Sequence, residues 1–209
     1  AGRSRRGDLN LGGYRVSAFT LHDEDFDGTG PFAGDGRTRP TQQLRMRFEL
    51  STPEGARWRS NCVAQRRQPP DHDLAAAVDE LRDEIALRCE LEGPLPSETR
   101  WVLTVDGDLG NNLLGRLQLE GEDSLQVVEI VMWHQLLDLT KRHMPASLAL
   151  IRSDALPQSP GGGSSHTAAA LILDSPERAW LARELDVDQR GLAMVALLSL
   201  RLLPLGFDS

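Results

Sequence analysis

An acidic stretch near the N-terminus is the sequence pattern most suggestive of chemistry. Asp23, Asp25 and Asp27 occupy alternate positions and are followed by Gly28. This spacing matches the first half of an EF-hand-type calcium loop, in which carboxylates converge on a hard cation and glycine permits a sharp turn. The second half does not match, because the position of the bidentate glutamate holds Gly34. We therefore expect these aspartates to form at best a weak calcium site, the alternative being an acidic solvated turn.

The other candidate motifs for chemistry are incomplete. Five histidines are scattered along the chain, and none forms the i, i+4 pair typical of zinc ligands on a helix: His22, His72, His134, His143 and His166. The segment 162–166 holds serines after glycines but lacks the Gly-x-Ser-x-Gly nucleophile elbow, and it precedes a predicted strand. The sequence thus predicts no enzyme activity and no cofactor other than the calcium candidate. A hydrolase whose site is assembled from residues distant in sequence stays open as a further alternative.

Cys62 and Cys89 both fall in segments that alternate like half-buried strands. Cys62 shares its apolar face with Trp58 and Ala64, and Cys89 shares its face with Leu87 and other apolar residues. Both thiols are therefore expected to point into the interior, where neighbouring strands would bring them together. We predict a Cys62–Cys89 disulfide, and with it an exported protein. The alternative is a pair of buried free cysteines.

Composition and charge narrow the classes of partner. The net charge is −8 and the sequence pI is about 5.1, so the surface as a whole repels phosphate backbones and we expect no nucleic-acid partner. No stretch approaches the roughly 18 apolar residues that a transmembrane helix needs, so we expect none. The arginines at positions 3, 5 and 6 suit a peripheral contact with an anionic membrane.

The chain begins Ala-Gly-Arg-Ser-Arg-Arg-Gly without a methionine. This start suits a mature chain after cleavage of a leader as well as a trimmed chain, and the residues do not separate the two. With the predicted disulfide, we expect a bacterial envelope protein, located in the periplasm or tethered to the outer membrane as a lipoprotein through residues that precede Ala1.

Alternation of apolar and polar residues predicts a chain of short strands. After a flexible tail over residues 1–12, a single β-rich domain is expected over 13–209. A short helix is predicted near 74–84, where Leu74, Val78 and Leu81 recur at helical spacing. The predicted strands are Tyr14–Leu21, Leu44–Leu50, Trp58–Ala64, Ile85–Leu91, Trp101–Val105, Leu113–Leu119, Leu125–Met132, Ser147–Ile151 and Ala168–Leu173. Their even spacing indicates an antiparallel β-barrel or sandwich of about eight to ten strands, mainly β in an α+β sense.

The C-terminal region, 176–203, is expected to be helical. Ser175 followed by Pro176 and Glu177 is a helix-start pattern, and Asp186 with Gln189 resembles the capping box of a second helix that ends near residue 203. This second helix is apolar on all sides, so we expect it to be packed inside or against the barrel.

The segment from Leu185 to Leu200, an acidic entry followed by an apolar helix, resembles the C-terminal helix of the tubby-like fold. That fold is shared by tubby domains and phospholipid scramblases. The resemblance implies a β-barrel with the helix threaded through it, and a domain that acts at a membrane surface.

These observations favour a non-enzymatic, exported envelope domain that binds a partner protein or an apolar ligand. The alternative is a tubby-like, lipid-associated domain at a membrane surface.

Overall fold

The computed structural model describes residues 9–26, 41–67, 84–95, 99–108, 113–119, 128–133, 147–153, 165–172 and 178–202. Within these ranges the chain forms β-strands followed by a single C-terminal α-helix. The strands are β1 (Asn10–Leu11), β2 (Tyr14–Phe26), β3 (Thr41–Ser51), β4 (Arg57–Arg67), β5 (Glu84–Glu92), β6 (Arg100–Asp108), β7 (Leu113–Leu119), β8 (Val128–Trp133), β9 (Ser147–Ser153), β10 (Ser165–Ile172) and β11 (Arg178–Leu181). The helix is α1 (Val187–Arg201).

The strands form two antiparallel sheets in which sequence neighbours are also spatial neighbours. One sheet has seven strands in the order β1 to β7, and the other has four in the order β11-β10-β9-β8. The sheets meet where β7 lies alongside β8. The prediction of a mainly β, antiparallel architecture is confirmed, and the ladders of the described strands form two sheets rather than one closed barrel.

The predicted alternation sets the inner face of the seven-stranded sheet. In β3, Leu44, Met46, Phe48 and Leu50 are all buried, whereas the intervening Arg45 and Arg47 are exposed. The same phase continues in β4 and β5, so that apolar side chains from successive strands build one core. Since the side chains of a strand alternate between faces, the residues between the buried ones lie on the other face of the sheet.

The short strand β1 was not predicted from the sequence. Asn10 and Leu11, at the end of the expected tail, pair with Arg15 and Tyr14. Gly12 and Gly13 form the turn with positive φ angles of 59° and 89°, which glycine adopts without strain. Of the tail expected over 1–12, residues 9–12 are therefore part of the folded sheet.

The helix expected to start at Ser175–Glu177 does not continue into the next residues, so this prediction is wrong there. Arg178–Leu181 form β11, paired with β10, because the edge of that sheet offers these residues backbone partners that a separate short helix would lack. The helix expected near 74–84 falls outside the described residues up to 83. Its last residue, Glu84, and the following Ile85 belong to β5, where Ile85 is buried in strand phase.

The capping box of α1 is confirmed. The Asp186 carboxylate accepts a hydrogen bond from the Gln189 backbone N–H at 2.7 Å, and the Gln189 side-chain oxygen accepts from the Asp186 N–H at 3.1 Å. These two bonds satisfy donors that the first helical turn leaves free. The helix begins at Val187 and ends at Arg201, close to the predicted limits of the second helix.

Helix α1 is buried on every side along its middle. All ten residues from Gly191 to Leu200 are buried, which covers more than two full turns. The helix contacts β4 and β5 of the larger sheet and also β9 and β10 of the smaller one. It therefore lies between the two sheets, as an all-round apolar surface requires.

Trp58 and Gly191 fix how closely α1 approaches the larger sheet. The Trp58 side chain is 2% exposed. A Cβ atom on Gly191 would lie 2.8 Å from Cε2 of Trp58 and closer still to Nε1, so the indole occupies the space that any other residue would fill. Glycine at this helical position is thus required by packing rather than by backbone conformation.

Two buried serines and the disulfide lie under the helix. Ser199, the polar interruption in the apolar helix, pairs its hydroxyl with that of Ser60 on β4 at 2.7 Å and also donates to the Val195 carbonyl at 2.7 Å. Ser60 Oγ is 3.3 Å from Sγ of Cys62, which is disulfide-bonded to Cys89. The predicted disulfide is confirmed, and it joins directly opposed residues of β4 and β5.

We predict that Gly191→Ala destabilises the protein by about 1–3 kcal/mol, because the new methyl group collides with the Trp58 indole. The usual effect in a helix is the reverse, a gain of about 1 kcal/mol. Urea unfolding of the disulfide-intact protein measures the change. In a Trp58→Phe background the penalty should shrink, which gives a coupling energy between the two positions. A Gly191→Ala protein as stable as the wild type would contradict the packing described here.

Candidate functional site

The interior between the sheets is already occupied. Leu197, Leu198 and Leu200 on α1 are each no more than 1% exposed and belong to the same core as the strand residues. A ligand in this space would have to displace the helix. The predicted Cys62–Cys89 pair also lies in this core, since the two residues are 2% and 0% exposed. The disulfide is therefore structural, and among the described residues we look for a binding surface on the outside of the sheets.

The predicted calcium residues fall at the end of β2. The backbones of Asp23 and Asp25 are paired with Leu44 and Gln42 of β3, and Asp27 lies outside the described residues. An EF-hand loop wraps around its ion, whereas the chain at residues 23 and 25 runs in a regular antiparallel ladder. The residues that the structure describes contain no group of three or more acidic, histidine or cysteine side chains placed to hold a metal. The weak cation site stays a prediction.

Tyr14 is a core residue whose phenol has a raised pKa. Burial raises its pKa above the ordinary value of 10.0, the Glu54 carboxylate acts in the same direction, and the Arg190 guanidinium opposes both. A phenol with a raised pKa stays protonated at neutral pH, so the group is not suited to act as a general base there. Its position links the start of β2 to the first turns of α1.

The outer face of the seven-stranded sheet differs in charge from the chain as a whole. The pairing registers and the burial pattern identify the residues that face outward on β2 to β7. Among the outward residues whose side chains the structure describes, arginines are twice as numerous as carboxylates: Arg15, Arg45, Arg47, Arg57, Arg59, Arg88, Arg100 and Arg116 against Glu49, Glu90, Glu92 and Asp106. These described side chains together carry a net positive charge, although the chain carries a net charge of −8.

In one row of this face, arginines and glutamates form ion pairs and their charges cancel. Arg59 on β4 lies between Glu49 on β3 and Glu92 on β5, with N–O distances of 3.3 and 3.4 Å. Arg100 on β6 is 3.6 Å from the other Glu92 oxygen. Positive and negative charges alternate across four strands, so this row carries little net charge. Pairs of this exposure contribute modestly to stability, roughly 0–1 kcal/mol each.

A second row, four residues further along the strands, holds no carboxylate. The register aligns Arg45 of β3, Val63 of β4, Arg88 of β5, Thr104 of β6 and Arg116 of β7. We call these five residues the arginine row. Its three guanidinium groups belong to exposed residues, and Val63, between Arg45 and Arg88, is 40% exposed although it is apolar.

Arg88 and Arg116 differ from the arginines of the self-neutralised row. Within the part of the chain that the structure describes, neither forms an ion pair or a side-chain hydrogen bond. The intervening Asn61 and Glu90 separate the two rows on β4 and β5. The arginine row is thus a stripe of positive charge crossing five strands.

Sequence reasoning missed this row for a simple reason. The outward positions of Arg45 and Arg88 follow from the alternation in their own strands. The alignment of residues from five strands depends on the register of four separate ladders, which the alternation within one strand does not determine.

Comparison of the chain with family models, with curated proteins and with solved structures finds no match. Among the described residues there is no helix of the length and apolarity required to cross a membrane.

We predict that calcium changes the thermal stability little. A ligand at a hundred times its dissociation constant adds about 2.7 kcal/mol, equivalent to roughly 5–10 °C in a chain of this size. Melting curves in millimolar calcium and in chelator should therefore differ by less than about 2 °C, since the partial motif gives at best a weak site. A shift of several degrees that Asp25→Asn removes would show a real calcium site at Asp23, Asp25 and Asp27.

Proposed function

We propose that this chain is a non-enzymatic, exported envelope domain that binds a partner protein through the outer face of its seven-stranded sheet. The observation that carries the proposal is the excess of arginine over carboxylate among the described outward side chains of that sheet, in a chain whose overall charge is −8. A patch of opposite sign to the rest of the surface orients an approaching acidic partner and raises the rate of productive encounter.

The disulfide supports export. Cys62 and Cys89 lie opposite each other in a ladder and are bonded in the core, so oxidation is part of the folded state. Disulfides of this structural kind persist in oxidising compartments and are rare in the cytosol. The proposed place is the bacterial periplasm, or the periplasmic side of the outer membrane through a lipoprotein tether.

A partner protein fits the described structure better than an apolar ligand does. β-Barrels that carry apolar ligands hold them in an open interior. In this chain the corresponding space between the sheets is filled by α1, whose residues Gly191–Leu200 are all buried. We therefore place binding on the polar exterior.

A tubby-like, lipid-associated domain is the second candidate. The resemblance to that fold implies an apolar C-terminal helix enclosed by antiparallel strands, and the contacts of α1 with both sheets favour it. In this reading the two sheets enclose the helix together, and the arginines of the outer face meet anionic headgroups. Against this reading, Glu49, Glu90 and Glu92 share the same face and would be pressed toward the same headgroups.

The test is site-specific photo-crosslinking in the native host. A photoreactive amino acid replaces Val63 on the outer face in one variant and Glu184, exposed in the turn before α1, in the control variant. We expect a discrete protein adduct from position 63 and none from position 184, because only the first lies on the proposed interface. Adducts from both positions, or from neither, would contradict the proposal.

Vesicle co-sedimentation separates the two candidates. The partner-binding reading expects no salt-sensitive sedimentation with vesicles that contain anionic lipid. Sedimentation at low salt that is lost at high salt would instead support the lipid-associated domain.

A further inference from the structure

We infer that the arginine row, Arg45–Val63–Arg88–Thr104–Arg116, binds an extended acidic segment of the partner protein. The inference rests on the proposed function, and it adds the chemistry and the shape of what is bound. Three features of the row carry it: the spacing of its charges, the availability of Arg88 and Arg116, and the narrowness of the stripe.

The spacing of the row suits an extended peptide. Neighbouring strands lie about 4.8 Å apart, so the arginines on β3, β5 and β7 are separated by about 10 Å each. A polyproline II segment repeats every three residues with a rise of about 3.1 Å per residue, or about 9.3 Å per turn. Carboxylates at every third position of such a segment would face Arg45, Arg88 and Arg116 in turn.

The charges of Arg88 and Arg116 are available for a ligand. Arg59 and Arg100 in the neighbouring row already pair with Glu49 and Glu92. Arg88 and Arg116 form no such pair within the described residues and are exposed. The planar guanidinium fork binds a carboxylate through two parallel hydrogen bonds, which makes arginine the appropriate residue for this contact.

Val63 gives the row an apolar position between two of its arginines. It lies between Arg45 and Arg88 in the register and is 40% exposed. The two residues between successive carboxylates of an extended segment would pass over it. Apolar residues such as proline at these positions would cover the valine, so the row favours a segment in which acidic and apolar residues alternate in a period of three.

The stripe is too narrow for a membrane. Adjacent outward rows are separated by two residues along a strand, or about 7 Å. Glu90 occupies the next row, and Glu49 and Glu92 the row after it. A planar anionic bilayer would meet these carboxylates together with the arginines, whereas a single extended segment along the row meets only the arginines, Val63 and Thr104.

The experiment measures binding of a labelled peptide that repeats Glu-Pro-Pro over about twelve residues, a length of about 37 Å as polyproline II. The disulfide-intact full chain is titrated at low ionic strength, with a Gln-Pro-Pro peptide as the uncharged counterpart. The variants are Arg88→Gln, Arg116→Gln and their combination. Arg57→Gln is the matched control, because Arg57 is exposed on the same face of β4 but six residues from Val63. Melting curves verify that each variant is folded.

We expect saturable binding of the glutamate peptide and none of the glutamine peptide. Each row variant should weaken binding roughly threefold to tenfold, the double variant more than either, and Arg57→Gln less than about twofold. Absence of binding, or an equal loss in Arg57→Gln, overturns the inference. Anionic vesicles that bind in a manner lost in the row variants, where the peptide does not bind, would also overturn it.

The crosslinking result distinguishes a failure of this inference from a failure of the proposed function on which it rests. If position 63 gives a discrete protein adduct and the glutamate peptide does not bind, the acidic segment is wrong and the partner interface stands. If neither is observed, both are wrong.

Discussion

The burial of α1 is the constraint on which the rest of the structure depends. A helix with apolar residues on all sides is stable in a water-soluble fold only if every side meets another apolar surface. One sheet covers one stripe of a helix, so a second covering layer is required. The contacts of α1 with β4 and β5 on one side and with β9 and β10 on the other meet this requirement.

Several local features follow from this enclosure. Gly191 is a glycine because the Trp58 indole lies against the helix there, and Ser199 is tolerated in the apolar helix because Ser60 provides a hydroxyl partner. The Cys62–Cys89 disulfide joins the two strands of the larger sheet that contact the helix. Because the described inner side chains pack with α1, the outward positions are the ones that remain for recognition among the residues that the structure describes. This is why the charge pattern of the outer face supports a function for this chain better than any residue of the core does.

Much of the fold could be predicted from the sequence, because local patterns specify it. Strict alternation located β3, β4 and β5, and the Asp186–Gln189 pair located the start of α1. The errors arose where tertiary structure overrides local preference. Arg178–Leu181 follow a helix-start pattern and nevertheless form β11, since the edge of β10 offers them hydrogen bonds. The arginine row was not predicted, because residues from five strands align only through the registers of their ladders.

The most direct measurement of the central claim is an aspartate scan across α1. Each position from Met194 to Leu200 is replaced in turn by aspartate, and the fraction of folded, disulfide-bonded protein is measured by circular dichroism and urea unfolding. A buried, unpaired carboxylate costs several kcal/mol against a total stability of about 5–15 kcal/mol. We predict that all seven substitutions are severely destabilising, because these seven positions cover the full circumference of the helix. Tolerance that recurs about every 3.6 residues would show that one side of α1 faces solvent, and would contradict it.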